Sequence, residues 1–258
     1  PISAGCVDLT ALDVGQGLAI VLRTARRTLL YDTGPAFRSG SDTGALVVAP
    51  YLRGAGVRRV DMLVVSHGDV DHAGGAASVL REIEVAQVYA GERLPLPRRQ
   101  RACRIGQAWR WDGVRFAFMH PRADSPASGN DASCVLEIAA GEHRLLLTGD
   151  IEAPVERRLV REGVLHTAEL VVIPHHGSRT SSGAAFVERL SPRVAIVSAG
   201  YDNRWGLPKG DVVARWRAAG ARVLNTATSG AIEYRVCPDT GATLRRRQRL
   251  DARKYWHE

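Results

Sequence analysis

The stretch VDMLVVSHGDVDHAGG, residues 60–75, decides the fold of this chain. Its apolar first part has the length of a buried strand and ends at Ser66. Four potential metal ligands follow within six positions: His67, Asp69, Asp71 and His72. Gly74 and Gly75 then open an Ala-rich helical pattern. Because α/β folds place their chemistry at the carboxyl ends of strands, the stretch predicts a functional site at this strand end.

The chain has 258 residues, of which 45% are hydrophobic, enough for the core of one large domain or two modest ones. No window has the apolar length that is needed to span a bilayer. The chain begins at Pro1 and has no basic and apolar leader segment. We therefore expect a soluble unit that is either a piece excised from a longer protein or a processed product, and we favour the excised piece.

The formal net charge of +8 favours a polyanionic partner, either nucleic acid or an anionic membrane surface. All basic residues except Lys209 and Lys254 are arginines, a bias that a GC-rich genome would also produce. Two prolines interrupt the Arg-rich residues 92–106, which predicts an exposed basic loop. Both this loop and a second Arg-rich run after residue 240 could bind phosphates without sequence preference.

The cysteines Cys6, Cys103, Cys134 and Cys237 are widely spaced and form no CxxC pair, so the zinc-finger pattern is excluded. Cys134 lies in the apolar strand pattern SCVLEIA, and we expect it to be a buried apolar side chain. The other three cysteines can be free or bridged, and the sequence leaves both possibilities open.

Histidines and aspartates recur at the ends of other predicted strands. Asp150 follows the apolar segment HRLLLT, and His175 and His176 follow ELVVIP. Asn130 and Asp131 stand just ahead of SCVLEIA. Solvation of surface side chains does not explain this repeated placement. We therefore expect these side chains to belong to one site together with residues 67–72.

Two successive groups of strands, each followed by strand–helix units, are joined without an obvious linker. This order predicts two sheets packed face to face with helices outside, an α/β fold with four αββα layers. We assign residues 1–240 to this single domain and residues 241–258 to a basic C-terminal tail. A helix is expected over residues 45–54, with its apolar pattern interrupted by Pro50.

Several motifs resemble those of the metallo-β-lactamase superfamily, whose signature HxHxDH matches SHGDVDHAGG with Asp69 in place of the second histidine. The resemblance is closer to the C-terminal hydrolase domain of the ComEC family, the DNA-uptake channels of naturally competent bacteria. It covers residues 8–236 and rests on DVGQG at 13–17, YDTG at 31–34, NDAS at 130–133, LLLTGDIE at 145–152 and PHHGSRTSS at 174–182. In that branch an aspartate is expected at residue 69.

The resemblance implies a metallo-β-lactamase fold with two divalent metal ions, manganese or zinc, and no small-molecule cofactor. The implied metal ligands are His67, Asp69, Asp71, His72, Asp131 and Asp150. Asp150 would bridge the two ions, and Asp131 would touch a metal ion or its bound water. Compared with a His-rich relative, the carboxylate-rich set favours manganese over zinc. Asp32 is expected to be a structural acceptor under the site.

One segment departs from the family pattern. Where the family carries Gly-His-Pro and thereby a last histidine ligand, this chain has Gly206, Leu207 and Pro208. A leucine side chain cannot bind a metal ion. We therefore expect the second metal position to be weak or empty.

The predicted catalytic residues are Asp71, His175 and His176. In nuclease relatives a histidine at a comparable place protonates the leaving oxygen or holds the phosphate. We expect one member of the histidine pair to act in this way and leave open which one. The predicted substrate-binding residues are Asn130, Ser178, Arg179 and Lys209. Capping of the next helix is the alternative role for the segment that begins at Ser178, and solvation is the alternative for Lys209.

The resemblance implies a metal-dependent nuclease domain that hydrolyses DNA during natural transformation, with the non-imported strand as a candidate substrate. It also implies DNA as partner and attachment to the inner membrane through the rest of a polytopic channel protein. The domain would face the periplasm. Two alternatives stay open: a DNA-binding or scaffold domain weakened in catalysis by Leu207, and a small-molecule hydrolase of the same fold.

Overall fold

Two β-sheets form the centre of the computed structural model, which describes residues 1–123 and 128–252. The strands are β1 (Val7–Ala11), β2 (Ile20–Arg23), β3 (Thr28–Tyr31), β4 (Arg59–Val65), β5 (Glu84–Ala90), β6 (Gln100–Ala102), β7 (Ala108–Trp111), β8 (Val114–His120), β9 (Val135–Ala140), β10 (His143–Leu147), β11 (Leu170–Val172), β12 (Val194–Val197), β13 (Arg222–Asn225), β14 (Ile232–Cys237) and β15 (Gly241–Arg247). The helices are α1 (Ala49–Gly54), α2 (Val70–Ala73), α3 (Ala76–Glu82), α4 (Ala153–Arg161), α5 (Ala184–Leu190), α6 (Gly210–Ala218), α7 (Thr226–Ser229) and α8 (Gln248–Asp251). In these ranges no helix is both long and apolar enough to cross a bilayer.

The strand order is β15-β14-β1-β2-β3-β4-β5-β6 in the first sheet and β13-β12-β11-β10-β9-β8-β7 in the second. Strands β3 to β6 run parallel to one another, and so do strands β10 to β13. Each sheet therefore gathers the carboxyl ends of several strands at one edge, where α/β folds place their functional side chains.

The apolar run in β4 shows why the layers form. Met62 and Val64 belong to the core between the two sheets, whereas Leu63 and Val65 belong to the core under α1 and α3. A strand with an apolar side chain at each of these positions is buried on both faces, so a helix layer must cover its outer face. A third core lies between the second sheet and α4, α5 and α6. The predicted four-layer αββα sandwich is confirmed.

Two Arg-rich segments are more regular than the sequence predicted. The domain boundary expected at residue 240 falls inside a β-hairpin, because β15 pairs antiparallel with β14 and packs Ala242 and Leu244 against the core. The loop expected over residues 92–106 contains β6, which pairs parallel with β5. In both segments the many arginines make the sequence look like an exposed loop or tail, although a short strand is present. The predicted tail residues 253–258 lie outside the described residues.

The helix expected over residues 45–54 is divided into two parts. A π-helical segment, Gly44–Val48, leads directly into α1. Pro50 stands in the first turn of α1, where the π-helical hydrogen-bond pattern changes to the α-helical one. Pro50 therefore lies at the point where the predicted helix is divided.

All four cysteines form disulfides, Cys6 with Cys237 and Cys103 with Cys134. The prediction for Cys134 was right about burial and wrong about its chemistry, because this cysteine is bridged. The Cys103–Cys134 bridge joins the segment after β6 to the residue before β9, so it ties the two sheets together. The Cys6–Cys237 bridge ties the residue before β1 to the end of β14.

Glu156 of α4 is a buried carboxylate that connects two helices. It accepts hydrogen bonds from the backbone N–H groups of Ser182, at 2.6 Å, and Gly183, at 2.8 Å, just ahead of α5. Burial raises the pKa of Glu156 to about 7, although the two hydrogen bonds favour the charged form.

We expect the contribution of Glu156 to the free energy of unfolding to fall as the pH rises. Its native pKa of about 7 exceeds the ordinary value of 4.5, so between these pH values the native state keeps a proton that the unfolded state loses. The contribution is full below pH 4.5 and is lost as the pH rises through 7, a change of about 3 kcal/mol. Urea unfolding of the wild type and Glu156→Gln across this range measures it. A difference between the two proteins that does not vary with pH would contradict the expectation.

Candidate metal centre

The candidate centre lies where strands of both sheets end. His67 follows β4 in the first sheet, and Asp150 follows β10 in the second. The turn that carries His175 and His176 follows β11, which is the parallel neighbour of β10. The sandwich therefore brings together side chains that are more than a hundred positions apart in the sequence.

Three buried histidines have the same arrangement. Each has its Nδ1 atom within hydrogen-bonding distance of a partner behind it: His67 at 2.9 Å from Ser66 Oγ, His72 at 2.8 Å from Asp32 Oδ2, and His176 at 2.7 Å from the Ser198 carbonyl oxygen. Such an outer bond fixes the orientation of an imidazole ring and leaves its Nε2 atom for a ligand. The expected structural role of Asp32 is confirmed by its hydrogen bonds to the ring of His72 and to Ser66.

Two overlapping groups of side chains could hold a metal ion, and they share His72. One group is His67, His72 and Asp150, and the other is Asp71, His72 and His176, each with donor atoms within 4.8 Å of one another. His72 Nε2 lies 3.1 Å from Asp150 Oδ1. His176 Nε2 lies 3.2 Å from Asp71 Oδ2 and 3.4 Å from Asp150 Oδ2. Asp150 therefore faces histidines of both groups.

The surroundings of His67 indicate that this arrangement suits a cation. Its side chain is fully buried, and within the described residues its Nε2 atom has no hydrogen-bond partner. A buried polar atom without a partner is costly unless it binds something. Imidazole nitrogens and carboxylate oxygens together are donors that divalent transition metals accept. The residues of both groups therefore fit a divalent metal ion.

The charges of the centre stabilise one another. Burial disfavours the ionised form of Asp150, but His176 and His72 outweigh it and hold the pKa of Asp150 well below its ordinary value. Burial also disfavours the charged form of His72, but Asp150 and Asp32 raise the pKa of His72 well above its ordinary value. In the same way Asp150 raises the pKa of His176 to about 9 against the effect of burial. A metal ion that binds here would displace these protons.

The structure distinguishes the two adjacent histidines. His176 is buried and uses both ring nitrogens inside the centre, so it joins the candidate ligands. The side chain of His175 is 24% exposed, with Nε2 at 3.9 Å from Asp150 Oδ2. Its Nδ1 lies 2.9 Å from Thr180 Oγ1 and 3.3 Å from Glu152 Oε1. His175 is therefore the member of the pair that a substrate can reach.

The turn itself is unusual, because His175 and His176 have φ values of 50° and 52° in the left-handed region. Residues other than glycine adopt this conformation at a cost, and such residues are concentrated at functional sites. In this turn the conformation directs neighbouring side chains to different places, one to the rim and one to the interior.

The sequence model of the metallo-beta-lactamase superfamily matches residues 12–201. The chain belongs to this superfamily. It also shares the fold of the metallo-beta-lactamase fold protein YhfI from Bacillus subtilis, with a TM-score of 0.51 and 12% identity over 88% of this chain and 99% of that one. Membership supports a metal-dependent hydrolase.

Two curated relatives are competence and recombination proteins. Competence protein ComA of Neisseria gonorrhoeae is 41% identical over 228 residues, which are 88% of this chain and 32% of that protein. Recombination protein 2 of Haemophilus influenzae is 35% identical over 233 residues, 90% of this chain and 29% of that protein. The chain thus spans about a third of the length of these relatives. The predicted resemblance to a ComEC-like metallo-β-lactamase domain is confirmed, and a competence-related hydrolase is supported.

Two of the expected ligands of the metallo-β-lactamase centre lie outside both groups. The side chain of Asp69 is 57% exposed, with Oδ2 at 3.6 Å from His67 Nε2. Asp131 Oδ1 accepts a hydrogen bond from the Glu152 N–H at 3.3 Å, and Asn130 Nδ2 donates to Glu152 Oε1 at 3.1 Å. Asn130 and Asp131 therefore hold Glu152, the residue whose carboxylate lies beside His175.

The other predicted substrate-binding residues make contacts with the protein. Arg179 Nε lies 3.0 Å from Asp211 Oδ1, Lys209 Nζ donates to the Trp205 carbonyl at 2.6 Å, and Ser178 Oγ accepts from the Thr180 N–H at 3.3 Å. The segment that begins at Ser178 does not cap the next helix, because α5 begins at Ala184 and the two N–H groups ahead of it are bound by Glu156. Its place is beside the His175 turn.

Leu207 is held by backbone hydrogen bonds to Asn203. Its N–H donates to Asn203 Oδ1 at 3.0 Å, and its carbonyl accepts from Asn203 Nδ2 at 2.6 Å. The expected weakness of the second metal position rested on the missing histidine at residue 207. His176 brings an imidazole to the group of Asp71 and His72, so this group has three protein donors without residue 207.

Ser133 is a residue of the centre that the sequence did not reveal. Its Oγ atom accepts a hydrogen bond from the Asp150 N–H at 3.0 Å and lies 3.3 Å from His67 Nδ1. It therefore joins the half of the centre that follows β4 to the half that follows β10. A sequence signal for Ser133 was present, because it is the last residue of the NDAS motif. Only Asn130 and Asp131 of that motif were assigned a role.

Proposed function

We propose that this chain is the metal-dependent nuclease domain of a DNA-uptake channel and hydrolyses DNA during natural transformation, with the non-imported strand as its candidate substrate. The observation that carries the proposal is the buried centre of three oriented histidines with Asp71 and Asp150, in a chain related to competence proteins. Because the phosphodiester bond is charged and stable, its hydrolysis needs the kind of charge stabilisation that such a centre provides.

The cofactors of the proposal are two divalent metal ions, manganese or zinc. His67, His72 and Asp150 would hold one ion, and Asp71, His72 and His176 the other. When bound, such ions polarise a phosphate and provide a nucleophile from water at neutral pH. The outer partners behind the three histidines fix the rings before substrate arrives, which reduces the cost of reorganisation.

His175 supplies the proton for the leaving oxygen in this proposal. Its partly exposed position at the rim allows contact with a bound phosphodiester, and Glu152 and Thr180 hold its Nδ1 side. Contact with Glu152 and Thr180 on the Nδ1 side orients the ring, so that Nε2 is the atom that donates the proton to the leaving oxygen. Asn130 and Asp131 act one step further out by holding Glu152.

We also propose where the domain works. DNA is the partner, which agrees with the formal net charge of +8. The rest of a longer protein would attach the domain to the inner membrane as part of a polytopic channel. The two disulfides support the periplasmic side of that membrane, because disulfides persist in oxidising compartments and are rare in the cytosol.

A nuclease assay tests the proposal and the role of the metal. We expect the purified protein to cleave DNA with manganese or zinc, to lose this activity in chelator and to regain it when metal is restored. Single-stranded and double-stranded substrates are assayed with manganese, zinc, magnesium and chelator, beside a metal count on the same protein. Intact DNA binding without cleavage under any metal would instead favour a scaffold. Hydrolysis of thioesters or lactones without cleavage of DNA would favour a small-molecule hydrolase.

A further inference from the structure

A groove of about 540 Å³ lies at the β6 edge of the first sheet, lined by residues within 90–104. We call it the basic groove. Five arginines line it: Arg93, Arg98, Arg99, Arg101 and Arg104. All of them except the half-buried Arg104 are exposed. So many guanidinium groups in one small groove attract a polyanion.

The arginines of the basic groove are available for a ligand. Within residues 1–123 and 128–252, none of the five forms an ion pair, and the side chains of Arg93, Arg98 and Arg99 make no hydrogen bond. Some exposed arginines elsewhere on the chain pair with carboxylates, as Arg26 does with Asp112, Arg27 with Asp61 and Arg53 with Glu82. The groove gathers in one place five arginines that have no such partner in the described ranges, so its positive charge is concentrated.

The backbone of the basic groove is held in place. Leu94 is buried in the core under α1 and α3. The side chain of Gln100 closes the loop by accepting from the Leu94 N–H at 3.1 Å and donating to the Leu94 carbonyl at 2.6 Å. Pairing of β6 with β5 fixes the following residues. The arginines therefore project from a rigid frame, which reduces the entropy lost when a ligand binds.

The basic groove adjoins the metal centre directly. Glu92 Oε1 accepts a hydrogen bond from the Gly68 N–H at 2.8 Å, and Gly68 stands next to the candidate ligand His67. Gly91 approaches the centre so closely that a Cβ atom there would collide with the carbonyl oxygens of Ser66 and Ala132. Two residues that line the groove, Gly91 and Glu92, therefore contact the segment that carries His67.

Aromatic side chains continue the surface beyond the basic groove. Arg101 Nη1 lies 3.4 Å from the hydroxyl of Tyr89, and its guanidinium lies 6.0 Å from the centre of the Tyr89 ring. A second groove, of about 480 Å³, follows and is lined by Tyr89, Trp109 and Trp111, all partly exposed. Arginines for phosphates next to aromatic rings for bases are the features by which proteins bind unpaired strands.

We propose that the basic groove binds single-stranded DNA and leads it to the metal centre, with phosphates against the arginines and bases on the aromatic groove. This inference rests on the proposed function and specifies the substrate as an unpaired strand. A duplex offers phosphates as well, but its bases are stacked on one another and cannot reach Tyr89, Trp109 and Trp111.

The test measures binding separately from cleavage. Fluorescence anisotropy in chelator, with no metal added, compares a labelled single strand, the duplex of the same length and a strand with abasic positions. The variant is Arg98→Ser with Arg99→Ser, and the matched control is Arg58→Ser with Arg222→Ser. Arg58 precedes β4 and Arg222 begins β13, so both exposed control residues lie at the strand edge opposite the centre.

We expect the wild type to bind the single strand more tightly than the duplex or the abasic strand. The groove variant should lose about tenfold in affinity for the single strand, and the control should not. Because each neutralised phosphate of a single strand contributes about 0.7 to the slope of log K against log salt, the variant's slope should be smaller by about 1.4.

Equal losses in the variant and the control, or equal affinity for the duplex and the single strand, would overturn the inference. The binding assay contains no metal, so its result does not depend on cleavage. If the groove binds the single strand but the protein cleaves no DNA when metal is added, the nuclease function is refuted and the groove is not. Cleavage with wild-type binding by the groove variant would refute the groove alone.

Discussion

Replacement of Asp150 by asparagine is expected to lower the proposed metal-dependent phosphodiester cleavage by more than about 100-fold and to reduce the bound metal. Its carboxylate faces His72 Nε2 at 3.1 Å and His176 Nε2 at 3.4 Å, so it contacts a histidine of each candidate ligand group. Loss of an outer partner of a metal ligand typically costs 10–100-fold in affinity or activity. Loss of a charged donor inside the centre should cost more.

The matched control for this substitution is Asp239→Asn, in the exposed turn between β14 and β15. We measure the metal content by mass spectrometry after equilibration in a fixed metal buffer, and then the rate of DNA cleavage. Thermal unfolding of both variants verifies that each one folds. A wild-type metal content in Asp150→Asn would show that Asp150 is not a ligand. Undiminished cleavage would point to a contaminating enzyme or a different site.

The candidate ligands that sequence reasoning found are those that follow apolar strands. His67, Asp71 and His72 come after the apolar run of β4, and Asp150 comes after that of β10. Because functional side chains of α/β folds lie at the carboxyl ends of strands, the sequence alone marked these residues as members of one site, and the packing of the two sheets brings them together. The role of His176 could not be found in this way. It depends on left-handed φ values of the two adjacent histidines, which send their side chains to different places.

Asp131 is a residue for which the sequence pattern predicted a metal contact, and the structure places it outside both candidate ligand groups. A carboxylate beside a strand end matched the pattern of a ligand, but its oxygen accepts the Glu152 N–H instead. The sequence pattern predicts that a residue lies at the end of a strand, but it does not predict the direction in which the side chain points. Ser133, two positions later, has its hydroxyl between His67 and Asp150. Serine hydroxyls that orient ligands have no distinctive sequence signal, because serine is common in all loops.

The fold was predictable wherever the apolar period was undisturbed, as in β4. It was obscured where arginines occupy the outer positions of an edge strand. In β15, Ala242 and Leu244 face the core while Arg245, Arg246 and Arg247 give the segment the composition of a tail. The pairing of the cysteines could not be predicted from the sequence for another reason. Two cysteines 231 positions apart can bond only if the sheet brings their Cα atoms close together, and that is a property of the tertiary fold.

Removal of the Cys6–Cys237 disulfide, by Cys6→Ala with Cys237→Ala, is expected to lower the free energy of unfolding by about 4 kcal/mol. The bridge spans 231 positions, so it removes much conformational freedom from the unfolded chain. It also joins the start of β1 to the end of its antiparallel neighbour β14. Urea unfolding under oxidising conditions measures the loss, and a change below about 1 kcal/mol would contradict the expectation.

The same variant should keep its metal. Strand β1 runs in the same direction as β3, because each is antiparallel to β2, so Cys6 lies at the edge opposite the centre. The comparison variant is Cys103→Ala with Cys134→Ala. Cys134 follows Ser133, and its N–H donates to the Ser66 carbonyl at 3.0 Å, so loss of this bridge should weaken metal binding as well as stability. Equal metal loss in both double variants would mean that the centre depends on overall stability rather than on local support from the second bridge.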